Sequence, residues 1–297
     1  MENNSITITY LSKVSFASLN GADKDADNIN PIKKITLDNG VELPYMSSQA
    51  IRRALRDRLE EMGHSISLIT PGKSDKSPVV TECDPKKNID DDLFGYMNAD
   101  AATQRTSPIR VESLVAISTY KGDLDYGTNF MGVRNGGNPN IYETEIHSGL
   151  YRGSILIELD RIGKGRIVSE NKKTKFDNSE FITKEEKQKR VLAFIDAFRT
   201  LWSTGRQSRF LADISPKFIA AAYMNVKNPI FLESVTVDKL GKVNSGILST
   251  VVDDYQKFIS DHVFAGQKAS LNLDESILSL EEGFSKVESW VKDFFKE

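Results

Sequence analysis

The apolar residues of this chain change period in a set order, and that order limits the folds open to it. "SITITYLSKVSF" alternates and predicts a strand over about residues 5–13. A Gly/Asp/Asn-rich loop, 20–30, follows. "KKITLDNGVELPYM" predicts a β-hairpin turning at Asp38-Asn39-Gly40, because Asn and Gly accept the positive φ of a tight turn. In "PYMSSQAIRRALRDRLEEMG" the period lengthens. Ile51, Leu55, Leu59 and Met62 recur at three and four residues, the buried stripe of a helix that Ser47 or Ser48 can cap. Further strands are predicted over 110–119, 147–162 and 215–226. A second helix is predicted over 185–202, with Val191, Ile195, Phe198 and Trp202 inward. Strand, helix, strand, strand, helix, strand is the ferredoxin-like, RRM-like order of an α+β domain. A short strand near "PIFLESVTV" and helices over about 245–262 and 276–295 complete the reading.

Two segments interrupt that order. Residues 63–92 are polar and punctuated by Pro and Lys, an insertion expected to be mobile. Residues 120–145 are rich in Gly, Asn and aromatics and too long for a turn. They read as an extended excursion with Phe130 or Met131 near its tip.

Arg52, Arg53 and Arg56 fall off the first helix's apolar stripe. The macrodipole disfavours cations at a helix N-terminus by roughly a few tenths of a kcal/mol each. Cations and a positive helix end aimed at one place are the electrostatics of an anion site; the other reading is a solvated polar face. The net charge of −3 argues against a general nucleic-acid coat. Acidic residues gather in "GADKDADNIN" and "NIDDDLFG". Basic residues gather in the first helix, at Arg105 and Arg110, and in "STGRQSR", so a local track can still bind phosphate.

Much catalytic chemistry is missing. His64, His147 and His262 share no ligand spacing, so no zinc site is expected. There is no Walker loop, GxGxxG or nucleophile triad, and "VRNGGNPN" reads as loop geometry. "NIDDDLFG" could hold a hard cation, but a solvated acidic loop is the ordinary outcome for such a run; Asp23, Asp25 and Asp27 admit the same two readings. His147 reads either as an acid–base group for RNA cleavage or as a bystander at a strand start. Neither metal nor cofactor is expected. Cys83, the one cysteine, reads as a bystander and suits a reducing cytoplasm. No run approaches the roughly 18 apolar residues of a membrane span, and the first residues show no secretory pattern, so a cytoplasmic location without a membrane partner is expected. "STGRQSRF", 203–210, admits two readings: cations completing a helix C-terminus, or Arg206, Gln207 and Arg209 contacting RNA.

"SSQAIRRALR" (47–56) after a hairpin resembles a motif of the backbone subunit of the type I CRISPR surveillance complex, Cascade, in its DevR branch, typical of type I-B systems. "SLNGAD" (18–23), "LFGYMNADAATQRTSPIR" (93–110), "NPNIYETEIHSGLYRGSILIEL" (138–159), "STGRQSRFLADISPKFIAA" (203–221) and "VESWVKDFF" (287–295) resemble further family segments in order. The resemblance implies a hand. Residues 1–62, 106–119 and 147–297 would be the palm with C-terminal helices, 63–105 a small helical fingers insertion, and 120–146 a β-hairpin thumb. It implies a non-catalytic subunit that stacks with copies of itself along the spacer of a CRISPR RNA. The thumb would flip bases at intervals and leave the guide displayed for target DNA; other Cascade subunits would be partners. Carried onto this chain, RNA would meet Asn20, Ser47, Gln49, Arg52, Arg53, Arg56 and Arg105. Phe130, Met131 or Arg134 would brace the kink at the thumb, with Arg206, Gln207 and Arg209 on the backbone. Phosphate contacts would position the guide and base pairing would read sequence.

The related type III backbone subunits cut target RNA with an aspartate in a loop after the first strand, where this chain has Asp23, Asp25 and Asp27. An RNA endonuclease on the same superfold, cutting target RNA or maturing CRISPR RNA, is therefore the alternative. A binder of small phosphorylated ligands is a third reading.

Overall fold

The computed structural model describes residues 2–23, 29–74, 77–130, 133, 136–170, 173–203 and 209–296. Its centre is β1 (Ser5–Ala17), flanked antiparallel by β13 (His147–Glu158) and β16 (Pro216–Met224). Beyond β13 lie β9 (Ile109–Val111) and β10 (Leu114–Ala116), again antiparallel. The four strands expected from the pattern thus lie side by side in the order fourth, first, third, second. The hairpin of β3 (Lys34–Thr36) and β4 (Glu42–Met46) extends the sheet past β10. On the other side, β16 pairs with β17 (Ile259–Gly266), which carries β18 (Leu278–Ser279).

Alternation on the strands decides the two faces. Ile6, Ile8 and Tyr10 of β1, with Ile219 and Ala221 of β16, are fully buried beneath α1 (Ser48–Glu61), α3 (Lys184–Arg199) and α5 (Leu280–Lys296). Those helices contribute Ile51, Leu55 and Leu59, then Val191, Phe194 and Phe198, then Phe284, Val287 and Trp290. Each such side chain stabilises the fold by about 1.5–3 kcal/mol. Leu11, Phe218, Ala220 and Ala222 face the other way, into a second cluster with Phe231 and with Leu248 of α4 (Ser245–Asp254).

Several expectations are corrected at element ends. Met62 is the C-cap of α1 and is exposed, so the stripe runs Ile51, Ala54, Leu55, Leu59. Trp202 lies past the end of α3, and Phe194 fills the helix's core position. The helix expected over 245–262 ends at Asp254; residues 259–266 form β17, because the edge of β16 needs backbone partners. "PIFLESVTV" makes no named strand. It turns over 230–234, buries Ile230, Phe231 and Val235, and reaches the sheet's second face with one bridge, Val237 to Val243.

The insertion after α1 begins with the hairpin of β5 (Thr70–Ser74) and β6 (Ser77–Val80), followed by α2 (Ile89–Phe94). Next come β7 (Tyr96–Asn98) and β8 (Thr103–Arg105). A second hairpin, β14 (Lys164–Glu170) and β15 (Lys173–Glu180), joins β8 to make a four-stranded sheet in the order β15-β14-β8-β7. That hairpin was not read from the sequence, since "KGRIVSENKKTKFDNSE" has too few apolar residues to show a period. The excursion is the antiparallel hairpin of β11 (Leu124–Asn129) and β12 (Asn140–Glu145), with β2 (Ile29–Asn30) added parallel to β12. Among the described residues, no helix is long and apolar enough to cross a membrane.

Candidate nucleic-acid interface

The start of α1 is built from three chain segments. Ser47 has extended backbone, and its hydroxyl accepts the Ala50 N–H at 3.4 Å, so of the two serines that could cap the helix it is Ser47 that does. Asn20 Oδ1 accepts the Ser47 N–H at 3.0 Å, and Ser113 Oγ accepts the Ser48 N–H at 3.2 Å. The next amide, of Gln49, is beyond reach of any intrahelical carbonyl, and the Gln49 side chain is exposed. No acidic residue stands in the first turn. The helix therefore presents an open positive end.

The three arginines behind it differ. Arg52 is partly buried; its Nε is buried without a hydrogen-bond partner, and no carboxylate pairs with it among the described residues. Burial, and then the neighbouring charge of Arg56, pull the Arg52 guanidinium below its ordinary range. Arg53 is exposed and pairs with Asp57, one turn on, at 2.8 Å. Arg56 Nε lies 2.9 Å from Asp90 Oδ2, and its guanidinium stacks 5.0 Å from the centre of the Phe94 ring.

Asp90 belongs to "NIDDDLFG", and here the sequence expectation fails. The segment is not a solvated loop: all six residues of α2 are buried. Asp90 Oδ1 takes the Ser67 N–H at 2.8 Å. Asp91 accepts from the Thr81 hydroxyl at 2.8 Å and the Asp84 N–H at 2.9 Å, while burial raises its pKa. Asp92 takes Arg105 at 2.6 Å, Arg190 at 3.0 Å and the Gly163 N–H at 3.0 Å. Every carboxylate is met by donors from outside α2, which is the condition for burying charge. Among the described residues, no group of three or more His, Cys, Asp or Glu is arranged to hold a metal.

Arg105 is corrected by the same network. Its side chain has no exposure, and it donates to Asp92 and to the carbonyls of Arg161, Lys164 and Gly165. It is an interior tie between β8 and β14 rather than a surface cation.

A shallow groove of about 420 Å³ adjoins the α1 N-terminus, lined by Gly21, Ala22, Asp23, Lys33, Lys34 and Tyr45. Backbone hydrogen bonds from Lys33 N–H to Asn20 O (2.8 Å) and from Tyr45 N–H to Lys33 O (2.9 Å) hold it beside Asn20 and Ser47. Lys33, Tyr45 and Ser113 were not singled out from sequence; the paired lysines before the hairpin were the available signal for Lys33. Lys34 is occupied, at 3.0 Å from Glu145 and 4.4 Å above the Tyr120 ring. Glu145 also accepts the Ile32 N–H at 2.9 Å, which fastens the base of the long hairpin to the groove wall.

At the other end of that hairpin, Phe130 is 60% exposed, and Leu124, Tyr126 and Ile141 are exposed on the strands. Met131 and Arg134 lie outside the described residues, as do Arg206, Gln207, Asp25 and Asp27. Arg209 is held on the hairpin: it pairs with Asp125, donates to Thr144 Oγ1 at 3.1 Å and lies 4.8 Å from the Tyr142 ring centre. His147 is buried at the start of β13, with Nδ1 2.8 Å from the Tyr151 hydroxyl; burial lowers its pKa.

This fold has relatives of known structure. A chain of a "CRISPR RNA-guided surveillance complex, pre-nicking" matches with a TM-score of 0.65 at 13% identity, covering 97% of this chain and 99% of that one. A chain of a "CRISPR RNA-guided surveillance complex" matches with a TM-score of 0.58 at 14% identity, covering 96% and 98%. The architecture is thus an α+β fold shared with chains of CRISPR surveillance complexes. A family model described as "CRISPR-associated negative auto-regulator DevR/Csa2" matches residues 8–242, and the chain belongs to that family. Over 151 residues it is 26% identical to a "CRISPR-associated protein Cas7/Cst2/DevR" of Myxococcus xanthus (strain DK1622), covering 44% of this chain. The matched stretch spans about half the length of that curated relative, 50%.

Proposed function

We propose that this chain is a non-catalytic guide-RNA-binding subunit of a Cascade-type complex, acting in the cytoplasm. Copies of it would line the spacer of a CRISPR RNA, flip bases at intervals and present the guide to a target DNA strand beside other subunits. Family membership supports the class. The observation that carries the RNA contact is Arg52: a partly buried guanidinium with no acidic partner among the described residues, one turn from an open helix N-terminus. A phosphate supplies the missing acceptor.

In this reading the sheet of β16, β1, β13 and β9/β10 is a ferredoxin-like palm. The fingers comprise 63–105 with the β14–β15 hairpin, and 120–146 is the thumb. Asn20, Ser47, Gln49, Arg52 and Arg53 form the palm site, joined by Lys33. Phe130 would wedge between bases, with Met131 and Arg134 close in sequence. Arg209 would stiffen the thumb's base, with Arg206 and Gln207 beside it in sequence on the guide's backbone.

The test is binding of the purified chain to intact, labelled single-stranded RNA of two lengths. More protein on the longer strand, with weaker binding by Arg52→Ala, supports the reading. Cleaved RNA moves the protein to the endonuclease class, and absence of wild-type binding removes the proposal.

A further inference from the structure

Three arginines within five residues of α1 offer three cations to a nucleic acid, but their acidic partners differ in strength. The Arg53–Asp57 pair is exposed, with 62% of the arginine side chain open, and water or phosphate competes with it readily. Arg56 is bound to a carboxylate that is 1% exposed. That carboxylate cannot follow it outward: its other oxygen holds the Ser67 N–H, and the α2 backbone is anchored through Asp91 and Asp92. Releasing Arg56 would strand Asp90 as a buried, unpaired charge, a large cost. Arg52, one turn earlier, has no such tie among the described residues.

Resting on the RNA-binding reading above, we infer that Asp90 is a positioning residue of the guide-phosphate site: it withholds Arg56 from RNA and leaves Arg52 as the partly buried cation that meets phosphate. The insertion thereby sets the charge of the palm site through one ion pair.

The salt dependence of binding to single-stranded RNA of fixed length tests this, because each phosphate contact adds about 0.7 to the slope of log K against log salt. Arg52→Gln lowers the slope per bound copy by about 0.7. Arg56→Gln leaves it unchanged, and Asp90→Asn raises it by about 0.7 as Arg56 is released. A purely structural Asp90 could weaken folding but would not raise the slope. Circular dichroism checks that each variant folds. If either single variant fails, the Arg56→Gln/Asp90→Asn double variant, which leaves no buried charge unpaired, must match the wild-type slope. A drop in slope for Arg56→Gln or the double variant, or no rise for folded Asp90→Asn, overturns the inference. A wild type that binds no RNA overturns the proposed function as well, so the two failures are distinguishable.

Discussion

Arg105 and Asp92 meet at 2.6 Å with neither side chain exposed, joining β8 to α2 in the interior of the insertion. Arg190 of α3 closes on the other oxygen of the same carboxylate at 3.0 Å and donates to the Pro85 carbonyl at 2.7 Å. One aspartate therefore binds the inserted sheet to a helix of the main core. Arg105→Ala leaves part of that charge and four backbone carbonyls, of Asp92, Arg161, Lys164 and Gly165, without this donor. It should destabilise the fold by about 3 kcal/mol, read by urea denaturation, while the salt slope of RNA binding stays at the wild-type value.

Gly95 ends α2 with φ +70°, and a Cβ there would lie 2.2 Å from the Arg105 carbonyl oxygen and 2.8 Å from Ser107 N. Both are backbone atoms and neither can swing aside. Gly95→Ala should cost about 3 kcal/mol through strain and displacement of the network. A denaturation midpoint equal to wild type would refute that account.

His147 is held below its ordinary pKa by burial, with Asp123 opposing weakly. Its folded pKa lies below its unfolded one, so its contribution to stability is whole above the unfolded value, about 6.5, and is lost as pH falls through the folded value. As pH falls below about 6.5, wild type should lose stability more steeply than His147→Gln. Burial also lowers the His64 pKa, and that group is common to both proteins, so the difference between their pH profiles isolates His147.

Phe130 is exposed near the end of β11 and stabilises little by itself. Phe130→Ala should change unfolding free energy by less than about 0.5 kcal/mol. It should weaken RNA binding by about 1–3 kcal/mol if the ring stacks on a base, and reduce the fluorescence response of an RNA carrying 2-aminopurine. Unchanged affinity and fluorescence would remove Phe130 from the site.

The sequence alone determined α1, a serine cap at Ser47 or Ser48, the hairpin turn before it and the central strands. Those depend on neighbours one to four residues apart: apolar spacing, a hydroxyl at the cap, Asn-Gly at the turn. It also singled out the arginine cluster, because three cations at a helix N-terminus conflict with the local dipole. Only the tertiary structure decided which arginines are spoken for. Asp90 and Asp92 read as solvated charge because their partners, Arg56, Arg105 and Arg190, lie 13 to 98 residues away. Polar composition hid β14 and β15, which pair with each other and reach β8 only through β14, and distant pairing turned residues 259–266 from an expected helix tail into a strand on β16. Local patterns are legible because the chain carries both partners within a turn; burial of charge and edge pairing are not, because their free energy resides in contacts that exist only after the chain has closed on itself.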